Sequence, residues 1–159
     1  MRKQTAPFFV MICIAALLLA CGEFSSSQKQ VAGDAIRGLR KIEAATQVGV
    51  NYQLYGQMVI EAKAQVNEAT AKLPDGELKS ELISAIDAYA EAGQAWGATI
   101  SDELYPDSKL ANDLKAHYDI QIELTYGESE KKQQRSVILS TIWAVARKRV
   151  DKASSLLPN

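Results

Sequence analysis

Apolar residues recur along most of this chain at alternating spacings of four and three, a rhythm that commits it to helices. Tyr55, Val59, Ala62, Val66, Ala69 and Leu73 carry it, and Ala35, Leu39, Ile42, Ala45, Gly49 and Tyr52 continue a similar stripe upstream. No proline lies between Val31 and Leu73. The pattern predicts one long first helix over 31–73, about 65 Å at 1.5 Å per residue, with a bend expected at Gly49, Val50 and Asn51. Pro74 ends it, and Asp75 is the expected cap of a second helix over 77–104, marked by Leu78, Leu82, Ile86, Tyr89, Gly93, Trp96 and Ile100. Pro106 breaks that helix, with Asp107 or Ser108 as the next cap. A weaker third helix is expected over 109–125, with Leu110, Leu114, His117 or Tyr118, and Ile122 on one side. After a turn at 126–129, Leu139, Trp143, Ala146, Val150, Ala153 and Leu157 mark a last helix over 130–157. No internal repeat and no period-two strand pattern interrupts this reading. The expected fold is all-α, an antiparallel up-and-down bundle of four helices with a long first helix.

The start of the chain has a different character. Arg2 and Lys3 precede an apolar run over 8–20, and no acidic residue occurs before Glu23. A basic end, a short apolar core and a small-residue cleavage point make a secretory signal, and the run is too short to span a bilayer. Leu18, Leu19, Ala20 and Cys21, which close it, resemble the lipobox of bacterial lipoproteins. The resemblance covers residues 1–22 only. It implies removal of a signal peptide over 1–20, diacylglycerol on the thiol of Cys21, and often a further acyl chain on its amine. Gly22 rather than aspartate after the cysteine implies the outer membrane where the cell has one. Two or more acyl chains, at about 0.8 kcal/mol per buried methylene, give a stable hold. The membrane is then a partner through the lipid on Cys21. Residues 21–30 are expected as a flexible tether, with a span of about 15–18 Å, and 31–159 as the helical domain.

Cleavage leaves residues 21–159, enough for one domain with a sizeable core. Cys13 departs with the leader and the Cys21 sulfur becomes a thioether, so no intramolecular disulfide is expected. Loss of Arg2 and Lys3 changes 18 basic against 19 acidic side chains to 16 against 19, a net charge near −3. No basic block offers a footprint for nucleic acid. Charge is also absent from 44–60 and from 136–146, and 88–100 contains only Glu91. A partly exposed helix normally carries charge on its wet face. These stretches point to a layer covered on more than one side, by the core, a partner or a pocket.

Catalytic sets are thin. His117, the only histidine, has Asp113 one turn before it, but no further ligand stands nearby for a zinc site. A Cys-x-x-Cys-His haem attachment is missing, and a Met58–His117 haem pair is a remote option. No metal and no cofactor is expected. Asp87 and Glu91 sit one turn apart, a spacing usual for a solvated stripe and capable of acid–base work when burial raises one pKa; Glu91, among uncharged neighbours, is the better candidate. Arg37, Arg40 and Lys41 form a small basic group near the tether that would contribute about 1 kcal/mol each at an anionic surface. Gly93 and Gly97 mark close helix approach around Trp96 and Trp143. Alternatively, the small residues leave room for a ligand among Tyr52, Tyr55, Tyr89, Trp96, Tyr118 and Trp143. Neither Gly-x-Ser-x-Gly, a phosphate loop nor an EF-hand loop occurs. The expectation is a lipid-anchored, non-enzymatic interaction or envelope-structural protein, held to an envelope partner or to itself through a surface drawn from Tyr52, Tyr55, Tyr89, Glu91, Trp96 and Trp143. A carrier or sensor of a small apolar ligand is the alternative, and a hydrolase using Glu91 and Asp87 the third reading.

Overall fold

A computed structural model of the chain describes residues 24–125 and 127–158. The signal segment over 1–20 and Cys21 lie outside the described residues. Among the latter are five helices and no strand: α1 (Ser26–Val48), α2 (Tyr52–Lys72), α3 (Glu77–Ile100), α4 (Lys109–Tyr118) and α5 (Glu128–Leu156).

The long first helix is corrected to two. At Gly49 the backbone turns to φ 97°, which an L side chain adopts only with strain. Asn51 then starts a new helix, its side chain accepting from Leu54 N at 2.9 Å. The interruption is a reversal rather than a bend, and α1 and α2 pack against each other. The start of α1 also differs from expectation. Residues 26–30, assigned to the tether, are helical, because Ser25 and Gln28 form a reciprocal capping box. The Gln28 amide also donates to Lys72 O at 2.9 Å, fixing the head of α1 to the tail of α2.

Other boundaries move for equally local reasons. Asp75 does not cap α3: Gly76 is the cap residue, and Asp75 instead accepts from Lys79 Nζ at 3.0 Å. Ser108 caps α4, accepting from Ala111 N at 3.1 Å. The third helix does not reach 125. Asp119 takes a left-handed conformation (φ 56°) and ends α4 at Tyr118, after which Ile120 and Ile122 are buried between exposed Asp119, Gln121 and Glu123.

The predicted stripes make the core. Tyr55, Val59, Ala62, Val66, Ala69 and Leu73 are all buried, as are Leu39 and Ile42 of α1, Leu82 and Ile86 of α3, and Ala146, Val150 and Ala153 of α5. Each fully buried aliphatic side chain contributes about 1.5–3 kcal/mol over leaving it in water. On α5 the buried face also takes in Ile138 and Ile142 beside the expected Leu139, while Trp143 is only half-buried. The main contacts pair α3 with α5, α1 with α2, α2 with α3, and α1 with α5.

Candidate functional site

Four of the six residues singled out from sequence meet in one cluster. Tyr52 and Tyr55 stand on the first two turns of α2, Trp96 comes from α3 and Trp143 from α5. Ring centroids are 5.8 Å apart for Tyr52–Trp96, 5.6 Å for Tyr55–Trp96, 5.8 Å for Tyr55–Trp143 and 6.0 Å for Trp96–Trp143. All are tilted or edge-on, the geometry that aromatic quadrupoles favour. The small residues of α3 make this possible. A Cβ on Gly97 would fall 2.6 Å from the Tyr52 hydroxyl oxygen, and one on Gly93 would touch the Tyr55 ring at 3.4 Å.

Tyr89 joins through a hydrogen bond. The Tyr55 hydroxyl donates to Tyr89 O at 2.7 Å and accepts from Trp143 Nε1 at 3.1 Å. Tyr55 is fully buried, and burial pushes its pKa above the usual range against the opposing indole N–H. Tyr89 is shifted upward too, chiefly by burial and then by the negative charge of Glu43, with Arg147 and Arg40 opposing. These tilted and edge-on contacts join Tyr52, Tyr55, Trp96 and Trp143 into an aromatic clasp across three helices.

Glu91 faces a different set of neighbours. Its Oε2 accepts from the Tyr118 hydroxyl, and its Oε1 lies 3.2 Å from His117 Nδ1. Burial raises the Tyr118 pKa, and the bond to Glu91 and that residue's negative charge raise it further. The expected helix-local pairings are replaced: Asp113 binds Lys109 at 2.5 Å instead of His117, and Asp87 is exposed. Glu91 thus clamps the end of α4 onto α3. No third His, Cys, Asp or Glu joins Glu91 and His117 as a metal-binding group among the described residues.

Of the basic group expected at the membrane, Arg37 and Lys41 are exposed and Arg40 is half-buried, and both arginines are ion-paired within the chain. Arg37 pairs with Asp34, and Arg40 bridges Glu43 at 2.7 Å and Asp151 at 2.6 Å, while Arg147 reaches Glu43 at 3.0 Å. Buried Glu81 holds Arg149 at 3.2 Å through both oxygens. A cleft of about 220 Å³, not foreseen from sequence, lies among Leu104, Tyr105, Leu124, Asp102, Lys131 and Gln134. It is smaller than the roughly 300–1,000 Å³ of small-molecule sites, and the Lys131–Asp102 ion pair of 2.8 Å crosses its lining.

No helix among the described residues is long and apolar enough to cross a membrane. Comparison of the chain with family models, curated proteins and solved structures finds no match.

Proposed function

We propose that this chain is a bacterial lipoprotein, anchored outside the cytoplasm through lipid on Cys21, whose helical domain works by surface contact rather than catalysis. In this reading α1, α2, α3 and α5 are the four helices of an antiparallel up-and-down bundle, with α4 clamped to its side. The membrane, and a protein of the envelope or a second copy, are its partners.

One observation carries the interaction reading. The uncharged stretch over 44–60 is not used up by the core. Val48 is 88% exposed, Tyr52 42%, Leu54 47% and Ile60 72%. Large apolar side chains left exposed along a stretch that lacks charge are what protein-binding surfaces present. The carrier reading has less support, because the aromatics contact one another at pair distances. The hydrolase reading has less still, since Glu91 is engaged by Tyr118 and His117 and Asp87 stands apart in solvent.

Crosslinking in intact cells tests the proposal. A specific crosslinked species containing the wild-type chain, lost on Gln57→Lys with unchanged helicity, is the expected result. An identical crosslinking pattern for wild type and Gln57→Lys would overturn the assignment to this face.

A further inference from the structure

The outer face of α2 has an order that the buried one hides. Opposite the core stripe, Gln53, Gln57, Ile60, Ala64, Asn67 and Ala71 are all exposed, at spacings of 4, 3, 4, 3 and 4. That is the spacing of a coiled-coil seam, here half apolar and half side-chain amide, about 27 Å long at 1.5 Å per residue. It contains no charge, and Ile60, 72% exposed, sits in the middle of it. A solvated helix face would place its Lys and Glu here. On α2 they stand beside the seam instead. Glu61 and Glu68 follow seam positions on one side, with half-exposed Leu54 in line with them, and Lys63 precedes one on the other.

We infer that α2 pairs with α2 of a second copy of this chain, parallel and in register, along this seam. The inference rests on the interaction reading above and names its partner. Charge selects both occupant and direction. In a parallel pair, a flanking residue on one helix meets the residue five positions later on the other, which brings Lys63 to Glu68 of the second copy, twice by symmetry. An antiparallel pair instead sets the Glu61 and Glu68 side against itself, and Lys63 near its own copy. Within the chain, Lys63 makes no ion pair among the described residues. Glu68 binds Lys72 through Oε1 at 2.8 Å, and its Oε2 takes no partner among those residues. In-register pairing also places Gln53, Gln57 and Asn67 opposite themselves, where side-chain amides donate and accept reciprocally. Parallel helices keep both copies of Cys21 on the same side, as two lipid anchors in one bilayer require.

Cysteine crosslinking of the full chain in its own membrane tests this. Under mild oxidation, Ala64→Cys and Asn67→Cys are each expected to give a species of twice the monomer mass. Lys148→Cys, exposed on α5, and the wild-type chain with its own cysteines set the background. Lys63→Glu is expected to weaken association about fivefold, from two lost surface pairs, and Glu68→Lys in the same chain to restore it. These exposed positions leave the core untouched, and circular dichroism reports whether helicity is kept. Ala64→Cys at background would overturn the inference. So would linkage appearing only when Gln57→Cys and Asn67→Cys are mixed, the mark of an antiparallel pair. A product of a different mass at Ala64→Cys would overturn self-pairing while leaving the interaction reading standing. Absence of lipid on Cys21, measured separately, would sink the anchor and not the seam.

Discussion

The Tyr55 hydroxyl donates to the Tyr89 carbonyl and accepts from the Trp143 indole, so phenylalanine there strips a partner from both. Tyr55→Phe is expected to cost about 1–2 kcal/mol, because the half-buried indole N–H loses its acceptor; urea unfolding followed by helicity measures it. Glu81 presents the same logic with charge. Its side chain is buried and Arg149 is its counter-ion. Arg149→Met leaves a carboxylate with little water, and a loss of roughly 1–3 kcal/mol is expected. Restoring stability with Glu81→Gln in the Arg149→Met background would show that the stranded charge, not lost packing, is responsible. Neither partnership was readable from sequence. Trp143 lies 88 positions from Tyr55, and Arg149 lies 68 from Glu81, so only the path of the chain joins them.

At the scale of elements, the turn between α1 and α2 depends on two residues. Gly49→Ala introduces a Cβ at φ 97°, and Asn51→Ala removes the cap of α2. Each is expected to lower stability by about 1 kcal/mol, and a thermal melt of the double variant should fall by about their sum. The stripes of these helices were legible because burial on one face forces a 3.6-residue rhythm whatever the surroundings. The reversal was not. A glycine and an asparagine within a helical pattern fit a bend as well as a hairpin, and the choice is made by what α1 finds to pack against. The cap at Ser25 and Gln28 was in plain view but masked by a polar, aperiodic neighbourhood. Asp119 to Glu123 alternates polar residues with isoleucine, a local signal against continuing α4 that the weaker helical spacing of Leu114, Tyr118 and Ile122 concealed. Glu91 stands out in the sequence for its uncharged surroundings, whereas its partners Tyr118 and His117 reach it only through the fold of α4 onto α3.

For the molecule as a whole, the buried tyrosines set an alkaline limit. Tyr55 and Tyr89 are both deeply buried, and the folded state holds their protons more tightly than the unfolded chain does. As pH rises through the ordinary tyrosine value of about 10, the unfolded chain releases those protons first, so stability present below that point is lost above it. The expected slope is up to about 1.4 kcal/mol per pH unit for each tyrosine. Melting temperature against pH from 8 to 11, with tyrosine ionisation followed by ultraviolet absorbance, should show unfolding and ionisation together. Tyr55→Phe should flatten the decline. In the proposed reading the helical domain is a platform, with an uncharged α2 face turned outward and a lipid at its head. The anchor is the premise that every statement about location and partners shares. It is tested most directly by growing cells on labelled fatty acid and comparing wild type with Cys21→Ser. Label on the wild-type chain and none on the variant, which then leaves the membrane fraction, is the predicted result. Equal fractionation of the two, with label on neither, would contradict it.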